Sequence, residues 1–178
     1  MYYHNITYPD MNNGDGLRVV LWLSGCSHHC KGCQNPQTWN PNSGILFDDN
    51  AKDELYETLS EDYISGLTLS GGDPLHENNI YDLLTLLTKI RNNFPNKSIW
   101  LYTGYTYEEI INSHKEYWSA TEENHFRYLV MKKCDVLVDG KYVEEQRDIT
   151  LKWRGSSNQR VIDVQESLKQ EQIILHCD

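Results

Sequence analysis

The sequence predicts an α/β fold: an open, partial (β/α) barrel of five or six mainly parallel strands. Short apolar runs alternate with amphipathic helical stripes, the order that yields parallel pairing through right-handed crossovers. The chain has 178 residues, short of the about 250 that a closed eight-fold barrel takes. No linker-like tract interrupts residues 1–178, which read as one domain.

Residues 1–16 are turn-rich, ending in Asn12-Asn13-Gly14-Asp15-Gly16, and lead into a first strand at Leu17–Leu23. After an irregular stretch with Asn35, Pro36, Pro41 and Gly44, Asp48-Asp49-Asn50 supply caps for a helix from Ala51 to Ser60. Leu55 and Leu59 fall on its inner side, with Asp53, Glu54 and Glu57 toward water. Gly66–Ser70 is a short strand stopped by Gly71-Gly72-Asp73-Pro74. Ile80, Leu83, Leu84, Leu87 and Ile90 then form a helical stripe that Pro95 closes.

Ser98–Tyr102 is the next strand, ended by Thr103-Gly104-Tyr105. Thr106 and Glu109 have capping-box spacing and predict a helix start. Residues 112–130 show no clean period and receive no element. Asp135–Asp139 is a strand halted by Gly140, and Arg160–Val164 and Ile173–Leu175 are weaker strands near the end. Ligands of such sheets gather at the carboxyl ends of the strands. The loops at Cys26–Cys33, Gly71–Asp73, Thr103–Tyr105 and Asp139–Lys141 all follow strands, so they should share one rim.

A formal net charge of -10 argues against a surface built to neutralise phosphates, so nucleic acid is not an expected partner. The start lacks the basic and apolar regions of a secretion signal, and no apolar run approaches a membrane span. Five cysteines, three of them clustered, make a poor disulfide framework and suit a reducing cytoplasm with a metal centre.

The cluster is Cys26-x3-Cys30-x2-Cys33, in one loop after the first strand. Structural zinc takes four ligands, commonly as two separated pairs, and no second pair follows here. His28 or His29 is available as a fourth donor only from within the tight turn. Three thiolates on a cubane cluster leave one iron open to chemistry, and this reading is favoured over zinc. Cys134 reads as a buried small hydrophobe and Cys177 as a tail residue. Trp39, Trp100 and Trp153 read as packing residues, and His76, His114 and His125 lack ligand spacing. Gly71-Gly72 is a turn whose missing side chains admit close backbone approach, and Asp73 adds a carboxylate. Arg154 and Arg160 stand in a polar, glycine-bearing context that suits either surface ion pairs or a contact with a partner or cofactor.

Together, Cys26-x3-Cys30-x2-Cys33 and Ser70-Gly71-Gly72-Asp73-Pro74 resemble the radical S-adenosylmethionine superfamily. Three further stretches sharpen the likeness: Asn13–Arg18, Cys33–Trp39, and Trp153-Arg154-Gly155-Ser156-Ser157-Asn158-Gln159-Arg160. They resemble the glycyl-radical-enzyme activases, specifically those of anaerobic (class III) ribonucleotide reductase. The resemblance runs from about residue 6 to residue 164, in the family's order.

It implies that Cys26, Cys30 and Cys33 bind a [4Fe-4S] cluster whose open iron takes the amino and carboxylate groups of S-adenosylmethionine. It implies that Gly71, Gly72 and Asp73 hold the methionyl ammonium, that Asp139 and Lys141 contact the cofactor, and that Gly32, Cys33 and Gln34 line its adenosyl side. Thr103 would approach the ribose. No catalytic residue is implied beyond these ligands. The sequence departs from the superfamily's pattern at Gly32 and Gln34, where an aromatic often flanks the third cysteine. The implied partners are the large subunit of the anaerobic reductase and a flavodoxin-like electron donor. A short, open barrel leaves its mouth free for a partner's loop. An activase of the pyruvate formate-lyase type, and a non-catalytic zinc-binding module, are the alternatives.

Overall fold

The computed structural model describes residues 1–115 and 121–177. In chain order the strands and helices are β1 (Tyr2–Asp10), β2 (Arg18–Leu23), β3 (Ile45–Leu46), α1 (Asp49–Ser60), β4 (Gly66–Gly71), α2 (Glu77–Asn93), β5 (Ser98–Tyr102), α3 (Tyr107–Lys115), α4 (Glu122–Lys132), β6 (Val136–Asp139), β7 (Arg160–Asp163), α5 (Val164–Gln170) and β8 (Leu175–Cys177). All strands join one eight-stranded sheet in the order β3-β1-β2-β4-β5-β6-β7-β8.

The pairs β2–β4, β4–β5 and β5–β6 are parallel, and the flanking pairs are antiparallel. The architecture is therefore mixed α/β with a parallel centre, and its eight strands exceed the five or six expected. The largest difference lies at the start. Residues expected to be turn-rich form β1, because Tyr2, Tyr3, Ile6, Thr7 and Tyr8 are aromatic or β-branched and fit a pleated, half-buried surface. Ile6 is the buried anchor of that strand. The unassigned stretch 112–130 ends in α4, whose amphipathic signal is spread thinly among polar and aromatic side chains; residues 116–120 of it lie outside the described residues.

Strand side chains alternate between faces, and this alternation positions the site. Leu21, Leu69, Leu101, Leu137 and Ile162 stand in register across five strands and are fully buried. With Val19, Leu67 and Ile99 they pack against Leu55, Leu59, Leu83 and Leu87 of α1 and α2, the main core. The opposite face carries a smaller cluster, Trp100, Val136, Val138 and Val161, joined by Tyr102, Trp153 and Cys177.

Arg18 is buried on this second face, which is unusual for a guanidinium. It is tolerated because its donors are used: Nε donates to Thr68 Oγ1 at 2.7 Å, and Nη2 donates to the carbonyls of Leu67 at 2.7 Å and Ser98 at 2.9 Å. Burial still lowers its pKa to about 10.

The local signals behave as expected. Asp48 Oδ1 caps α1 by accepting from the Ala51 amide at 3.0 Å. Thr106 and Glu109 form the reciprocal capping box, with the Thr106 amide donating to Glu109 Oε2 at 2.7 Å and the Glu109 amide donating to Thr106 Oγ1 at 3.2 Å. Cys134 is fully buried in the main core.

Candidate cluster and cofactor site

Parallel β2, β4, β5 and β6 end at Leu23, Gly71, Tyr102 and Asp139, so their following loops emerge at one edge. There a cavity of about 370 Å³ is lined by Cys26, Cys30 and Cys33, by Gly71, Gly72 and Asp73, and by Thr103, Gly104 and Gly140. Gln34 also borders it. Its floor runs onto the second face of the sheet through Trp22, Ser70 and Tyr102.

Backbone contacts fix the cysteine loop at its base. The Gly25 amide donates to the Thr38 carbonyl at 2.7 Å, and the Cys26 amide donates to the Trp39 carbonyl at 3.0 Å. The glycine turn is drawn against the same base: the Gly72 amide donates to the Leu23 carbonyl and the Asp73 amide to the Gly25 carbonyl, both at 2.7 Å. This approach explains both glycines. A Cβ at Gly71, whose φ is +101°, would lie 2.7 Å from the Leu23 backbone, and one at Gly72 would lie 2.5 Å from the Gly25 carbonyl oxygen.

Asp73 is buried, and its carboxylate is fully engaged. Oδ2 accepts from the Gly104 amide at 3.0 Å, and Oδ1 accepts from the Leu75 amide at 2.8 Å. The Thr103 hydroxyl reaches both oxygens at 2.9 Å, and His28 Nε2 lies 2.6 Å from Oδ2. The carboxylate thus ties the cysteine loop, the glycine turn and the end of β5 into one unit. The sequence showed Asp73 and Thr103 but not His28, whose signal is spatial: its ring fills the space that a Cβ on Gly104 would need, 2.3 Å away.

The donor set suits thiolates on a multi-iron group. The Asn35 amide donates to the Cys33 sulfur at 3.4 Å, and backbone amides of His28 and His29 at Cys26, and of Tyr142 at Cys30, favour the thiolates against their burial. Such hydrogen bonds stabilise thiolate charge and tune cluster potentials. Burial pushes the Cys26 thiol up to about 11 and raises that of Cys30, so each would have to release a proton to serve as a metal ligand. Among the described residues, no three His, Cys, Asp or Glu side chains converge on the position of a single ion. A lone zinc needs its donors about 2.0 to 2.3 Å from one point. Cys26, Cys30 and Cys33 border one cavity from a single loop, a donor set of the kind that holds an iron–sulfur cluster.

Three expected site residues lie elsewhere. The Asp139 carboxylate is buried away from the cavity, accepting from the Tyr107 amide at 2.8 Å and from Arg160 Nε at 3.1 Å and Nη2 at 2.5 Å. Lys141 is exposed, and Gly32 sits on the outer side of the loop against Glu144. From the late polar stretch the cavity instead takes Trp153, Arg154, Gly155 and Gln159. Arg160 turns away from it to pair with Asp139 and Glu108.

Residues 12–162 match the family described as "4Fe-4S single cluster domain". The chain is 42% identical over 163 residues to the anaerobic ribonucleoside-triphosphate reductase-activating protein of Escherichia coli K12, covering 90% of this chain and 97% of that relative. The protein of the same name from Haemophilus influenzae is 41% identical over 155 residues, covering 85% of this chain and 92% of the relative. The one from Enterobacteria phage T4 is 42% identical over 161 residues, covering 90% and 93%. The cysteine cavity and these likenesses agree, and the chain belongs to the family of anaerobic ribonucleoside-triphosphate reductase-activating proteins.

Proposed function

We propose that this chain is a radical S-adenosylmethionine activase that generates a glycyl radical on the large subunit of anaerobic ribonucleotide reductase. The observation that carries the reading is the meeting of Cys26, Cys30 and Cys33 with Gly71, Gly72 and Asp73 around one cavity at the carboxyl ends of parallel strands. Cys26, Cys30 and Cys33 are the assigned cluster ligands. When bound there, a [4Fe-4S] cluster with S-adenosylmethionine would supply the one-electron reductive chemistry needed to remove a hydrogen atom from a glycine of the reductase.

The chain's own residues do the positioning. Gly71, Gly72 and Asp73 form the turn that takes the methionyl ammonium through backbone oxygens, and the His28–Asp73–Thr103 unit, which occupies the Asp73 carboxylate, holds that turn against the cysteine loop. Thr103 and Gln34 border the nucleoside side. Trp22, Tyr102 and Trp153 give the cavity an aromatic floor. Asp139, with its oxygens committed to Arg160 and Tyr107, braces the rim in place of a direct cofactor contact. The helices α1 and α2 pack on one face of the sheet while the other lines the cavity floor, which supports a partial barrel of the radical S-adenosylmethionine type over one domain. A flavodoxin-like protein is the proposed electron donor and the cytoplasm the proposed compartment, where five free thiols are stable.

The test is anaerobic reconstitution followed by reduction in the presence of S-adenosylmethionine, with and without the reductase. Cleavage to methionine and 5′-deoxyadenosine supports the reading. A colourless protein carrying stoichiometric zinc, with no cleavage, would overturn it.

A further inference from the structure

His114 and His125 lack ligand spacing in the sequence because 11 positions separate them. Folding brings them together. His114 stands near the end of α3 and His125 in the first half of α4, and their Nδ1 atoms lie 3.2 Å apart. Neither residue lines the cysteine cavity.

The pair is held from both sides. Tyr107 and Ile110 of α3 and Val130 and Met131 of α4 are buried in the main core, so both helices have fixed inner faces. The His114 ring stacks on Tyr128, with centroids 3.9 Å apart and planes 5° from parallel. The His125 ring meets Phe126 edge-on at 6.2 Å. Two imidazoles fixed in this way have already met much of the ordering cost that bringing ligands together requires.

The separation suits coordination. A direct contact between two Nδ1 atoms needs one of them protonated and the other bare, whereas a metal ion uses both lone pairs. In a tetrahedral site with Zn–N bonds of about 2.0 to 2.1 Å, two ligand nitrogens stand about 3.3 Å apart. The observed pair therefore needs little adjustment. Burial first, then His125, Lys115 and Lys132, hold His114 below its ordinary value of 6.5, which keeps its ring neutral at pH 7. Imidazole nitrogens select zinc, nickel and copper over calcium and magnesium. Among the described residues no third His, Cys, Asp or Glu joins the pair, so water completes the shell. The two lysines oppose a cation, and binding is accordingly reversible.

We propose that His114 and His125 form a two-imidazole site for a divalent transition metal of the zinc class, which clips α3 to α4. The site is separate from the cysteine ligands, and the inference does not rest on the function proposed above.

The test is anaerobic equilibrium dialysis of the cluster-loaded protein against zinc chloride, for wild type, His114→Ala, His125→Ala and His176→Ala. Both members of the pair lie toward the surface, and circular dichroism confirms the fold of each variant. His176 is the control, an exposed imidazole paired with Asp15 elsewhere on the molecule. The comparison is differential, so zinc held by the cysteines cancels and failure of the activase reading does not affect the result. Wild type should take up about one zinc per chain more than either His114→Ala or His125→Ala, as one site shared by two ligands requires. Removing a supporting partner of a ligand costs 10- to 100-fold in metal affinity, and removing a ligand should cost at least as much. His176→Ala should match wild type. Zinc should also slow amide hydrogen exchange in α3 and α4 of wild type and leave it unchanged in the two pair variants. Zinc affinity within about twofold of wild type in His114→Ala and His125→Ala, far below the loss expected for a ligand, would overturn the site. Loss of the extra zinc in His176→Ala alone would place it elsewhere, and uptake that leaves exchange in both helices unchanged would overturn the clip.

Discussion

His28 Nε2 lies 2.6 Å from Asp73 Oδ2, and both side chains are almost wholly buried. This contact joins the loop that carries the three clustered cysteines to the turn that follows β4. Thr103 and Gly104, at the end of β5, complete the unit through the same carboxylate. The cysteine loop is therefore positioned by the site it belongs to.

Asp73→Ala removes the acceptor for the Thr103 hydroxyl, two backbone amides and His28 at once. Leaving these buried groups unpaired costs about 3 kcal/mol. Urea denaturation of the cluster-free protein should show a clear fall in midpoint, with a smaller fall for Thr103→Val, which removes one donor. An Asp73→Ala midpoint equal to wild type would contradict the bracing role.

Gly71→Ala tests the close approach at the glycine turn. The added Cβ meets the Leu23 backbone at 2.7 Å, at a φ of +101°. Strain and displacement together should cost about 2 kcal/mol or more. The same denaturation experiment reads it, and a loss below about 0.5 kcal/mol, typical of neutral surface changes, would show that the turn can move aside.

The ion pair of Arg160 with Glu108 gives a pH signature. A hydrogen bond from Arg160 holds the Glu108 carboxyl below its usual value of 4.5. A depressed carboxylate contributes stability that is complete above its unfolded value and is lost as pH falls through the folded one. Wild type should thus lose more stability than Glu108→Gln as pH drops from near 4.5 downward, and the two should run parallel at neutral pH. Denaturation midpoints across that range check it; parallel curves throughout would remove the pair from the account. The pair is partly exposed, so salt should shrink the difference.

Cys30→Ala should abolish cluster retention. Anaerobic reconstitution of wild type should give about four irons per chain and a brown protein. The variant should lose most of the iron and the colour with it. Iron content and absorbance equal to wild type would mean that Cys30 is not a ligand.

Much of this was legible because local chemistry wrote it into short stretches. The apolar runs of β2, β4, β5 and β6 sit between turn residues, and their parallel order placed four loops on one rim. Thr106 and Glu109 marked the start of α3 because a capping box is a local contact. β1 was not legible, because its turn-rich end and scattered polar side chains hide a strand that antiparallel pairing with β2 and β3 stabilises. The site divided the same way. Cysteines and glycines signal through spacing, whereas His28 and Tyr102 acquire roles only when distant loops meet. The partners of Asp139 were not legible for a related reason: Arg160 and Tyr107 come from elements 21 and 32 residues away.

The measurement closest to the central claim is electron paramagnetic resonance of the reductase large subunit after anaerobic incubation with the reduced, cluster-loaded protein and S-adenosylmethionine. The account predicts a glycyl radical that forms only when all components are present and that is lost with Cys30→Ala. Cleavage of S-adenosylmethionine without any radical on the reductase, or a radical formed equally well by Cys30→Ala, would contradict it.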